Sequence, residues 1–164
     1  INEIEEELLV FLTDIPQSSL SDEDIKTLDS YFAIVDDIES IGDDANSIAD
    51  LAEYIMDNDL EFSEQAVQSV ENAYKIVVDY LEDSREIVKT GDKEIADKLF
   101  TGEEKMDELL LQYRNEHLKR LNKGVCIPSA GIAYLEVLED LEHISDQFAD
   151  IAYSIIERKK KKIS

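Results

Sequence analysis

The chain has 164 residues, of which 43% are apolar, enough for one domain or for two small bundles that share a core. Forty acids against sixteen bases give a net charge of −24, and residues 1–60 hold eighteen Asp or Glu against Lys26 alone. Such a field repels the nucleic-acid backbone and free anions, so nucleic acid is excluded as a partner and a metal ion or a basic partner fits the charge better. Cys126 is the single cysteine, so no intrachain disulfide can form, and no apolar run approaches the ~18–20 residues of a membrane span or the pattern of a signal peptide.

With two prolines, five glycines and long periodicities near 3.6 residues, the chain reads as all-α. The first helix is expected over about 2–15, stopped before Pro16, which lacks an amide hydrogen and restricts its predecessor. Ser21 with Asp24 three residues on forms a capping-box signature for the second helix, which runs to about Asn58. Ile34, Ile38, Ile41, Ala45, Ile48, Ala52 and Ile55 keep one stripe along it, the mark of a bundle face. The third helix starts at Ser63 and reaches about Thr90; Gly91-Asp92 breaks it and caps a fourth, about 92–122. After Gly124 and Pro128 a fifth runs from about Ser129 to Arg158 with Ile132, Leu135, Leu138, Leu141, Ile144, Phe148, Ile151 and Ile155 expected inward. Short connections predict five long helices with antiparallel sequential neighbours.

Asp36-Asp37-Ile38-Glu39-Ser40-Ile41-Gly42-Asp43 returns 103 residues later as Glu139-Asp140-Leu141-Glu142-His143-Ile144-Ser145-Asp146, and each copy leads into an Ile-Ala step. Over 31–51 against 134–154, seven of twenty-one positions are identical. An internal repeat of this kind divides the chain into two units. Residues 1–60 form a partial first unit of two helices, 61–158 a second of three, and 159–164 a basic tail. The first unit lacks a counterpart of the third helix, and the apolar face this leaves open is expected to be covered by the second unit or by another copy of the chain. The chain opens with Ile and is read as a piece of a longer protein.

At about 100° per residue, Asp36, Glu39, Asp43 and Asp50 stack on the side of the second helix opposite its apolar stripe. Carboxylates one turn apart repel one another, a cation between them would relieve this, and a solvated acidic face would also account for them. Glu103 and Asp107 on the fourth helix repeat the E-x-x-x-D spacing, and antiparallel packing could set them beside Glu139, Glu142 and Asp146. All-oxygen ligands suit Mg²⁺, Ca²⁺, Mn²⁺ or Fe³⁺. Asp140-x-x-His143 is a single partial match to the Glu-x-x-His of carboxylate di-metal oxidases, which need two such pairs facing a bundle interior, so an oxidase is the weaker alternative. No phosphate loop, nucleophile elbow or triad can be assembled, and no catalytic site is expected. The run Arg158 to Lys162 reads either as a contact for an anionic membrane or as cations complementing a helix end.

Arg114, His117-Leu118-Lys119-Arg120-Leu121-Asn122-Lys123-Gly124-Val125-Cys126, Gly131 and Leu138-Glu139-Asp140-Leu141-Glu142-His143-Ile144-Ser145-Asp146 together resemble the carboxy-terminal PhoU-like domain of bacterial and archaeal sodium/phosphate cotransporters. Asp37 to Asp43 with Ile48-Ala49, and Thr90-Gly91-Asp92 with Ala96 and the Glu103/Asp107 pair, are similar to the same family's other motifs. The resemblance implies tandem three-helix repeats, a non-enzymatic regulatory or accessory role in phosphate transport, and a cytoplasmic place beside a membrane transporter or phosphate-signalling proteins, with self-association. A free-standing regulator of phosphate uptake and of a phosphate-sensing kinase is the alternative. The resemblance also implies multinuclear iron or zinc on surface pairs that transfer to Glu39 and Asp43, Glu103 and Asp107, and Glu142 and Asp146, with the second unit the better matched.

Overall fold

In the computed structural model, which describes residues 1–16 and 20–161, five α-helices follow one another: α1 (Asn2–Thr13), α2 (Asp22–Asp57), α3 (Glu64–Thr90), α4 (Lys93–Asn122) and α5 (Pro128–Lys161). The tail from Lys162 and the side chains from Arg158 onward lie outside this description, and the basic run with them. Among the described residues there is no strand, and no helix is long and apolar enough to cross a membrane.

Local chemistry sets the boundaries. The Ser21 hydroxyl accepts from the Asp24 amide while the Asp24 carboxylate accepts from the Ser21 amide, so two amides that the first turn leaves without helical partners are satisfied reciprocally. Ser63 and Asp92 cap α3 and α4 by accepting from Ala66 and Glu94. Gly91 ends α3 in the left-handed region at φ 56°, where a Cβ would be strained, and its amide donates to the Ile87 carbonyl.

Helices α3, α4 and α5 form a three-helix bundle around Ile87, Leu99, Leu110 and Leu138, each fully buried. Helix α2 lies along α5 and α1 lies on α2, where Leu12, Leu28 and Val35 make a second, smaller core. Asp37 faces Asp150 and Asp44 faces His143, so α2 and α5 run antiparallel. The principal neighbour of α2 is therefore α5 and not α3, which follows it in sequence; connection length restricts direction, but the flank of α2 with the largest matching apolar surface decides the partner. A second expectation is corrected at the start of α5. Ile132 is 60% exposed, and Ala130, Ala133 and Tyr134 face inward instead, because Tyr134 fills the space beside Phe62 and His117.

Leu138 sits at 0% exposure among the side chains of the bundle. Leu138→Ala is expected to cost about 2–5 kcal/mol of unfolding free energy. Urea denaturation followed by circular dichroism measures it, and a loss below about 1 kcal/mol would show a core that collapses freely around the deletion.

Candidate metal centre

Antiparallel packing of α4 on α5 brings Glu103, Asp107 and Asp146 together, each with a carboxylate oxygen within 4.8 Å of the others. Glu103 and Asp107 share one face of α4 because they stand one turn apart, and Asp146 comes from the flank of α5 next to that face. Glu103 and Asp146 are half-buried and Asp107 is exposed, so the group opens to solvent on one side.

The electrostatics record the crowding. Burial, then Asp107 and Asp146, push the Glu103 carboxyl above its ordinary value. Burial, then Asp107 and Glu142, do the same to Asp146, with His143 opposing. Asp146 Oδ1 is also fully buried with no hydrogen-bond partner among the described residues. Three converging carboxylates with a buried unpaired oxygen fit a hard cation, which would supply the missing partner and cancel the repulsion; thiolate-preferring metals do not suit an all-oxygen set.

The other expected ligands are placed differently. Glu142 forms a half-buried ion pair with Arg114 across the α4–α5 contact and stands beside the group without joining it. Glu139 is exposed and lies outside it. In the first unit the Glu39 carboxyl is raised by burial and then by Asp43, with Glu5 of α1 as the next charge. Glu39 and Asp43 thus meet one acid from α1, but no third oxygen comes within the same distance among the described residues. His143 turns toward Asp44 at 3.9 Å, and His117 is buried against Tyr134 and Gly131; neither stands with the three carboxylates.

Two residues that border the group were not read from the sequence as part of the site, although Arg114 stands in the motif that carries the family resemblance. Tyr80 of α3 is buried, and its hydroxyl proton is held up to about 12 by burial and then by Glu103. It fits because Gly102 has no side chain: a Cβ there would come within 2.5 Å of the Tyr80 hydroxyl. A glycine inside a helix costs about 1 kcal/mol relative to alanine, and next to a candidate ligand that cost is the sequence signal. Arg114 is the other, since its guanidinium fixes Glu142.

Where α2 meets α5, Asp37 has its carboxyl raised to about 6 by burial, then by Asp150 and Asp36, and its Oδ2 has no hydrogen-bond partner among the described residues. A carboxyl raised on folding contributes stability that is complete below its unfolded value of 3.8 and is lost as pH rises through about 6. Asp37→Asn is therefore expected to stabilise the fold at pH 7.5 by about 1 kcal/mol after allowance for solvent screening, which raises the melting temperature there, and to leave it unchanged near pH 3.5. Melting curves at the two pH values check this, and an equal effect at both would contradict it.

The family described as PhoU domain matches residues 70–155, just over half of the chain and lying within α3 to α5. No curated protein matches the chain.

Proposed function

The chain belongs to the PhoU domain family, whose role is regulatory and phosphate-related, and on that premise we propose that it is the cytoplasmic accessory domain of a sodium/phosphate cotransporter that acts through protein contacts and a cation held between α4 and α5. The observation that carries the reading is the convergence of Glu103, Asp107 and Asp146. PhoU domains are regulatory and not catalytic, which supports recognition as the work of this surface.

Iron and zinc are the metals proposed from the family, and of the two Fe³⁺ suits the oxygen donors better, a preference that Mg²⁺, Ca²⁺ and Mn²⁺ share. Glu103, Asp107 and Asp146 would hold the ion, with Glu142 available if Arg114 releases it. Bound metal offsets most of the charge of the three carboxylates, so the face repels phosphate and acidic protein less than it does without the ion. Regulation by occupancy follows from that change of charge.

Elemental analysis of protein purified without chelator tests the reading, together with thermal melts under added Mn²⁺, Zn²⁺ or Fe³⁺. The intact chain is expected to gain stability as the metal saturates, about 2.7 kcal/mol at one hundred times its dissociation constant. Glu103→Gln/Asp146→Asn is expected to melt higher than the parent without metal, because two raised carboxyls are removed, and to gain nothing from metal. Equal metal content and equal metal-induced shifts in the parent and the double variant would remove the site.

A further inference from the structure

The repeated phrase gives α2 and α5 equivalent apolar residues, yet the two helices sit in unlike surroundings. Tyr31 is 43% exposed where its counterpart Tyr134 is 1% exposed, and Ile38 is 46% exposed against 3% for Leu141. Ala45, Ala49 and Ala52 are open to solvent, and the residues 103 positions on, Phe148, Ala152 and Ile155, are buried. In α5 these positions are covered by α3 and α4. Helix α2 has α1 in addition to α5, and nothing among the described residues stands to it as α3 stands to α5.

The uncovered strip is shaped. Between α2 and α3 runs an apolar groove of about 400 Å³, walled by Ile41, Ala45 and Ile48 on one side and by Tyr74, Val78 and Leu81 on the other, with α5 beneath. Its α3 wall is unusually bare: Tyr74 is 60% exposed, and Val78 and Leu81 are exposed as well. A smaller apolar hollow lined by Ile4, Leu8 and Ile38 continues the strip to α1, whose Ile4 and Phe11 also face solvent. No charged residue lines the groove, and the alanines of α2 leave room for a backbone to come close. Single exposed apolar residues are ordinary, but a strip flanked on both sides by further apolar side chains marks an interaction surface.

We propose that this strip seats a partner's amphipathic α-helix, which packs on α2 as α3 packs on α5, and that the helix carries basic residues beside its apolar stripe. The floor of the groove is continuous with the main core, since Ile41 and Ile48 already pack against it, so an added helix extends an existing interface. Charge selects the partner: the α1 and α2 side of the strip belongs to the sixty residues with eighteen acids and one base, a field that draws in a cationic helix and repels another acidic one. The same field disfavours a second copy of this chain, which brings its own −24.

The natural probe is α3 itself, the helix that fills this role on α5. A fluorescein-labelled peptide of residues 64–90 carrying Glu71→Lys, Asp79→Lys and Glu82→Lys, and one with the unaltered sequence, are titrated with the intact protein at low salt. The basic peptide is expected to bind saturably and at least about tenfold more tightly than the unaltered one, with the gap closing as salt is raised. Ala45→Arg/Ala49→Arg, both at exposed positions, is expected to abolish binding with an unchanged circular dichroism spectrum. Tyr74→Lys on the other wall gives a second variant with the same expected loss. The proposal is overturned if neither peptide binds or if both variants bind as the parent does. It is overturned equally if sedimentation shows a dimer that Ala45→Arg/Ala49→Arg dissolves, since the occupant is then another copy of this chain.

Discussion

Helix α5 carries one apolar face too broad for a single neighbour, and that constraint organises the molecule. Tyr134, Leu138, Leu141, Ile144, Phe148, Ala152 and Ile155 are all buried, and at ~100° per residue they spread over about 120° of the helix. The chain resolves this by wrapping α5 with α2, α3 and α4. Each wrapped flank leaves a polar seam where carboxylates meet at close quarters. The seam with α4 gathers Glu103, Asp107 and Asp146; the seam with α2 sets Asp37 against Asp150 and Asp44 against His143. The candidate site is thus a consequence of how a core helix is covered, and the acids tolerate their crowding because the apolar burial beside them is larger.

The same eight-residue phrase yields different chemistry in its two settings. In α5 it is pressed against α4, so Asp146 meets two carboxylates from a neighbouring helix, and Arg114 engages Glu142. In α2 it is flanked by the short α1, and Glu39 meets Glu5 from outside its own helix, with no third acid brought into a close group with it and Asp43 among the described residues. The residues supply the ligand types, and the neighbouring helix decides whether they converge. On the function proposed above, such a surface would hold a cation in α4 and α5 while α2 offers an apolar strip, which would separate ion binding from protein contact along one molecule.

Much of the architecture was legible in the residues. Pro16, the Ser21/Asp24 box, Ser63, Gly91 with Asp92, and Gly124 mark helix ends by local chemistry, and all five helices begin and end within about three residues of the expected places. The meeting of the Glu103/Asp107 pair with α5 was legible too, because spacing fixes the face of each helix. What lay beyond reach were relations set by the third dimension. Ile132 keeps the helical period of α5 yet sits where no helix covers it. Periodicity shows that α2 has an apolar face but not that α5, distant in sequence, is its main partner. Arg114 takes Glu142 out of a ligand set that spacing alone had placed it in, and Tyr80 approaches from a third helix through the gap left by Gly102.

The most direct measurement of the central claim is anomalous X-ray diffraction from crystals of the intact chain equilibrated with manganese or zinc, recorded on both sides of the metal's absorption edge. A peak bounded by carboxylate oxygens of Glu103, Asp107 and Asp146 is the predicted result. Metal bound only elsewhere on the acidic surface, with those three side chains turned apart, would contradict it.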